Sequence, residues 1–124
     1  MPTAYFLIMK AEVVSFGVLE INDEQYRYDV VINKGRIEKR DKATSRKHKR
    51  GFGHTPLTAE ENIPWECKTL LIGTGAYGRL PIMDEMQVEA EKRGITLVID
   101  FTKEICKKLA VDPPDTNAIL HCTC

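Results

Sequence analysis

The 124-residue chain has little of several things, and each shortage excludes a class of protein. It has no apolar run near the roughly 20 residues that a membrane-spanning helix needs. The longest early run, Tyr5 to Met9, is also short for a signal-peptide core, and no small-residue cleavage site follows it. Cys67, Cys106, Cys122 and Cys124 are too few and too irregular for a secreted disulfide framework, so the sequence predicts a reducing, cytoplasmic setting without a membrane. There is no C-x-x-C pair, Ser-His-Asp signature, paired-carboxylate motif or P-loop lysine. No catalytic residue, resident metal or cofactor is therefore assigned. Net charge is absent too, with 18 basic and 18 acidic residues.

What is present is ordinary for a single globular domain: 43% apolar and 29% charged residues. The neutral total conceals an asymmetry. Nine Lys and Arg between Lys34 and Arg50 face only Glu38 and Asp41, a local excess of seven positive charges. A solvated loop over about 41–53 is one reading, with Lys42 to Gly51 expected to be mobile. The other is a polyanion-binding patch of Lys39, Arg40, Lys42, Arg46, Lys47, Lys49 and Arg50, since clustered cations release counterions from nucleic acid. Base-stacking aromatics are missing from the run, with Phe52 only at its edge.

The first half reads as antiparallel. Val14, Phe16 and Val18 alternate, and Leu19 and Ile21 continue after a one-residue slip between Val18 and Leu19, next to Gly17, which predicts a bulge there. Asn22-Asp23 supplies a turn, and Tyr26 to Ile32 alternates as the hairpin partner. Lys34-Gly35 is a second turn before an exposed strand from Arg36 to Arg40. Thr58 and Glu61 have capping-box spacing for a short helix that Pro64 would stop.

The second half alternates strands and helices. Thr69 to Ile72, Ile95 to Ile99 and Ala118 to Leu120 are continuous apolar strands, expected to be parallel and in mid-sheet. Between them, Pro81 predicts the start of a helix ended by Gly94, and Thr102 the cap of another through Leu109. The expected fold is α/β: a three-layer single domain with a central mixed, mostly parallel sheet. Its second half is βαβαβ, and an antiparallel β-hairpin extends it at the N-terminus.

Gly73-Thr-Gly-Ala-Tyr-Gly78 matches G-x-G-x-x-G between a strand and a helix, and Asp100 lies 22 residues beyond. A helix starting at Pro81 would leave the glycines outside its N-terminus, so dinucleotide binding is not expected. A tight structural turn and a backbone-amide nest for a small anion, with Arg79 beside it, both stay open. Candidate ligand-binding residues are His54, Gly73, Thr74, Gly75, Tyr77, Gly78, Arg79 and His121. At the C-terminus, Cys122 and Cys124 lack the further ligands zinc requires, and Cys122 points away from His121 on an extended chain.

The string Leu71-Ile-Gly-Thr-Gly-Ala-Tyr-Gly-Arg-Leu80, followed by a helix, Arg93-Gly-Ile95 and a terminal His-x-Thr-Cys, resembles the small adipogenesis-associated domain family. Relatives of that family include a mitochondrial complex I assembly factor. Ser15-Phe-Gly17, Tyr26-x-x-Asp29-Val30 and Gly53-His54 belong to the same likeness. It implies a three-layer α/β domain and no established enzymatic activity. The chain departs from the family in the longer basic stretch Lys39 to Phe52, in the last helix, and at Thr116-Asn117, where a basic residue is usual. The expectation is a non-enzymatic binding or assembly module, with another protein as partner and an unassigned oligomeric state. The alternatives are a small-anion or metabolite-binding protein or enzyme built on the Gly73 to Arg79 turn, and a nucleic-acid binder built on Lys34 to Arg50.

Overall fold

The continuous apolar runs of the second half form the middle of a mixed sheet. The computed structural model describes residues 9–49, 54–111 and 113–124. Its strands are β1 (Ala11–Ser15), β2 (Val18–Ile21), β3 (Glu24–Tyr26), β4 (Val30–Asn33), β5 (Arg36–Lys39), β6 (Thr69–Gly73), β7 (Thr96–Asp100) and β8 (Thr116–Leu120). Helix α1 spans Asp84–Arg93 and α2 spans Thr102–Leu109. One sheet has the order β1-β2-β3 and the other β5-β4-β8-β6-β7. β6 pairs in parallel with both β7 and β8, whereas β4 runs antiparallel to both β8 and β5. Four of the five strands in the large sheet thus point the same way, and β4 opposes them.

Period-2 alternation divides the large sheet between two cores. Val30, Ile32, Leu71, Ala118 and Leu120 face α2 and the small sheet, where Ile105, Cys106, Leu109, Leu19 and Ile21 meet them. Val31, Leu70, Ile72 and Ile119 face the opposite layer, where Met86 and Ala90 of α1 pack with Leu57 and Leu80. These are the three layers of the fold. Gly94 ends α1 at φ +70° as its C-cap, and α2 ends at Leu109.

Several local readings are corrected. Phe16-Gly17 forms a hairpin turn between β1 and β2, and the register irregularity lies between Val13 and Ser15. The run from Tyr26 to Ile32 is split at Arg27 to Asp29, so β3 and β4 belong to different sheets. Thr58 and Glu61 make a turn rather than a helix; the Thr58 hydroxyl accepts from the Glu60 amide at 3.3 Å. Helix α1 begins at Asp84, three residues past Pro81, because Leu57 bridges Ile82, donates its amide to the Pro81 carbonyl and accepts from the Met83 amide. That pairing holds residues 81–83 extended. Thr102 is the first helical residue of α2, not its cap, and its hydroxyl serves another purpose. β7 is parallel as expected but lies at the sheet edge, which is why Ile99 remains 40% exposed.

Candidate functional site

The sheet order places β6 between its two successors. The chain leaves β6 for β7 through α1 on one face, then returns past β6 to β8 through α2 on the other. In open α/β sheets a reversal of this kind opens a crevice at the C-terminal strand ends, where ligands commonly sit. The Gly73 to Gly78 turn, residues 121–124 and Asp29 all meet there. Asp29 arrives because β4 runs antiparallel to β8, pairing Val30 with Leu120.

This crevice is filled by the chain itself. Ala76 donates its amide to the Thr123 carbonyl at 2.7 Å, and Arg79 donates to that of Cys124 at 2.8 Å, with Tyr77 adding a bond at 3.3 Å. Thr74 donates to the Asp100 carbonyl at 2.9 Å, and Gly75 donates to the Thr102 hydroxyl at 2.8 Å. That hydroxyl donates in turn to the His121 carbonyl at 2.7 Å. The amides needed for a small-anion nest are therefore bonded within the molecule. Gly75 sits at φ +103°, and a Cβ there would lie 2.6 Å from the Cys124 oxygen and 2.7 Å from that of Thr123. A Cβ on Gly73 would lie 2.8 Å from the Thr102 backbone. The glycines serve close backbone approach at the switch point.

Beside the turn lies a buried ionic cluster assembled from distant parts of the sequence. The Asp29 carboxylate receives Arg40 Nη1 at 2.8 Å, His121 Nδ1 at 2.8 Å and the Cys122 amide at 2.9 Å. Arg40 also clamps Glu61 with Nε at 2.7 Å and Nη2 at 2.8 Å, and donates to the Pro56 carbonyl at 3.0 Å. Ser45 donates to Glu61 and shares a 2.8 Å bond with Thr58. On the far side of the imidazole, His121 Nε2 and the Thr123 hydroxyl are 3.2 Å apart. Burial alone would push the Asp29 carboxyl up, but the His121 bond and charge, the Cys122 amide and Lys42 hold it well below the usual carboxylate range. Burial works against the Arg40 cation too, and Glu61 and Asp29 outweigh it. The Cys122 thiol is pushed up to about 12 by burial and by Asp29, which removes it as a nucleophile near neutral pH.

The sequence candidates thus separate. His121 joins Asp29, while His54 is half-buried and no hydrogen bond among the described residues ties it to this cluster. Thr74 is buried, and Tyr77 and Arg79 are exposed. The polyanion patch is dismantled in part. Arg40, expected at the surface, is 3% exposed because two carboxylates clamp it. Lys42 lies 4.0 Å from Asp29, Lys47 pairs with Glu60 at 3.3 Å, and Lys39 sits over the Tyr28 ring. Arg46 and Lys49 are exposed, and Arg50 to Gly53 lie outside the described residues. The stretch expected to be loose contains a short 3₁₀ turn at Arg46–His48 and the buried Ser45. Asp29, Glu61 and Thr123 are not among the ligand-binding candidates that the sequence offers. The only signal for Asp29 was its place in the Tyr26-x-x-Asp29-Val30 string, where it falls on the polar phase of the alternation and reads as a solvent-facing residue.

The rim of this end is aromatic. Phe16 and Tyr77 have ring centroids 6.2 Å apart, the Arg79 guanidinium lies 5.8 Å from the Tyr77 ring, and Phe101 covers Gly78. Phe16, Tyr77 and Phe101 are each at least half exposed.

No family model matches the chain, and no curated protein does. Solved structures do. A conserved hypothetical protein from Pyrococcus horikoshii is 34% identical over 94% of this chain and all of its own, with a TM-score of 0.77. The protein MT938 is 21% identical over 94% of this chain and 99% of its own, with a TM-score of 0.69. A protein described as an outer membrane protein from Bartonella henselae is 15% identical over 95% of this chain and 99% of its own, at 0.61; these last two share the fold alone. No described helix of this chain is long and apolar enough to cross a membrane.

Proposed function

This chain belongs to the family of the conserved hypothetical protein from Pyrococcus horikoshii, and on that premise we propose that it is a small non-enzymatic binding module. Its partner is another protein, and the docking surface is the cluster of Phe16, Tyr77, Arg79 and Phe101 around the glycine turn. One observation carries the reading: the crevice where an α/β domain would take a small ligand is closed by residues 121–124, while exposed aromatics and an arginine surround it. Aromatic residues and arginine are the types that concentrate interface energy. The ionic cluster beneath would then be a brace. It fixes the start of β4 and residues 121–123, and these place the turn that presents Tyr77. Kinship with the adipogenesis-associated family, an assembly role like that of its relatives and a cytoplasmic setting belong to the same proposal. They rest on the Leu71 to Leu80 string and the ending His121-Cys-Thr-Cys124.

The test begins with affinity capture of a partner, followed by binding of the purified pair. Tyr77→Ala with Arg79→Ala is expected to weaken Kd by about tenfold or more, equivalent to about 1.4 kcal/mol, without lowering Tm. A partner that binds this variant as tightly as the unaltered chain would remove the surface from consideration. Turnover or tight binding of a polar metabolite that depends on Gly75 and Arg79 would favour the small-ligand reading instead.

A further inference from the structure

A second concavity, open to solvent on one side, lies away from the ionic cluster, between β1 and α2, with a volume of about 540 Å³. That is within the range of small-molecule sites, which are mostly apolar with a few polar groups at the rim. Its walls are short side chains: Ala11 and Val13 from β1, Cys106 from α2, Ala110 just past the end of α2, and Ala76 from the glycine turn. The Cys106 thiol is pushed up to about 11 by burial and by the charge of Glu12, so it stays protonated near neutral pH and behaves as an apolar surface.

The rim is charged, with an excess of cations. Lys103 and Lys107 stand one turn apart on the same face of α2, opposite Glu12 on β1. Lys107 leans on Glu104 at 3.2 Å, an exposed pair of small worth. Lys103 has no carboxylate within ion-pairing distance among the described residues. The site therefore offers an apolar body, one unpaired ammonium and a second that is only loosely engaged.

We propose that this cavity takes a small amphipathic carboxylate, its apolar body between β1 and α2 and its head between Lys103 and Lys107. The inference goes beyond protein docking and rests on different residues. An apolar chain would cover Val13 and the Cys106 sulfur, while Glu12 on the opposite rim directs the anionic head toward the lysines. A neutral ligand of the same length would keep the apolar contacts and lose the charge-assisted bonds.

The experiment is calorimetric titration of the whole chain, residues 1–8 included, with decanoate, decanol and acetate, the first two below micelle-forming concentrations. Decanoate is expected to saturate a single site, and acetate, which lacks an apolar body, to show no saturation. Lys103→Ala with Lys107→Ala should weaken decanoate by about tenfold and decanol by less than about twofold, since only the former has a charge to lose. Ala110→Phe places a ring in the cavity from an exposed position and should weaken both ligands by about tenfold or more. Tm of each variant shows that the fold is retained. Two results would overturn the proposal: no saturable decanoate binding to the unaltered chain, or equal decanoate binding by both folded variants.

Discussion

Arg40 and Arg46 come from one basic stretch and end in opposite surroundings. Arg40 is enclosed, its guanidinium shared between Asp29 and Glu61 with backbone carbonyls completing its bonds. Arg46 lies in a short 3₁₀ turn and is exposed to water, as is its neighbour Lys47, which reaches Glu60 across the surface. The two regions have similar composition, so the difference teaches that a charge run is not one physical object. One of its cations belongs to the interior. Arg46, Lys47 and Lys49 belong to the surface. A buried charge must be paired or the state is lost, whereas an exposed one is paired by water.

The comparison is broken most directly at Arg40. Arg40→Ala would leave the Asp29 and Glu61 carboxylates buried without their shared cation. The expected loss is about 3–5 kcal/mol, measured by urea unfolding. Arg40→Lys should recover part of this, because an ammonium keeps the charge but cannot hold Glu61 with two bonds. A loss below about 1 kcal/mol for the alanine variant would mean that the cluster is better hydrated than its burial indicates.

The next largest effect is at the glycine turn, where crowding can be separated from backbone conformation. Gly75 and Gly35 both have positive φ, +103° and +82°, but only Gly75 has neighbours where a Cβ would go. Both alanine variants carry the conformational cost, about 1–3 kcal/mol. Gly75→Ala should lose more, because residues 123 and 124 must move as well. Equal urea midpoints for the two would show that the ending is free to retreat from the turn.

Acid separates the two regions in a different way. The Asp29 carboxyl titrates below its unfolded value near 3.9, so it contributes stability that is fully present above that value. As pH falls through the unfolded value toward the depressed folded one, this contribution is lost, because the unfolded state takes up the proton first. Unfolding free energy should therefore fall as pH drops below about 5, most steeply once it is under the unfolded value, and Asp29→Asn, already less stable at pH 7, should show a shallower decline. Parallel declines in the two proteins would assign the acid sensitivity to other carboxylates.

These contrasts also mark what the sequence could reveal. The strands β6 and β8, helix α2 and the stop at Gly94 were legible because continuous apolar runs and turn chemistry act over a few neighbouring residues. The start of α1 was not, because Pro81 satisfies the local rule for a first helical residue while Leu57, 24 positions earlier, holds that segment extended. The ionic cluster was hidden for the same reason. Asp29 lies 11 residues from Arg40 and 92 from His121, and no local period connects them. Thr116-Asn117 shows a sequence departure becoming structure: buried Asn117 accepts from the Lys34 amide at 2.8 Å and donates to the Pro64 carbonyl at 2.9 Å. The glycine turn was recognisable as a tight turn, but only the fold shows that residues 123 and 124 are what it approaches.

The smallest effect is expected where the charge run is most conspicuous. Arg46→Gln, Lys47→Gln and Lys49→Gln together remove three positive charges from exposed positions and break the Lys47–Glu60 pair. Exposed pairs of this kind contribute about 0–1 kcal/mol, and unpaired surface charges usually less than about 0.5. The triple variant should therefore unfold within about 1 kcal/mol of the unaltered chain, against the several lost at Arg40. The same variant measures whether the exposed cations serve a polyanion. Each phosphate contact on duplex DNA contributes about 0.9 to the slope of log affinity against log salt, so three lost contacts would flatten that slope by nearly three. With Arg40 buried and Lys42 turned toward Asp29, two of the cations are already engaged inside the molecule. Weak duplex binding with a shallow salt slope is expected of both proteins, and a steep slope that the triple variant abolishes would reverse this assignment.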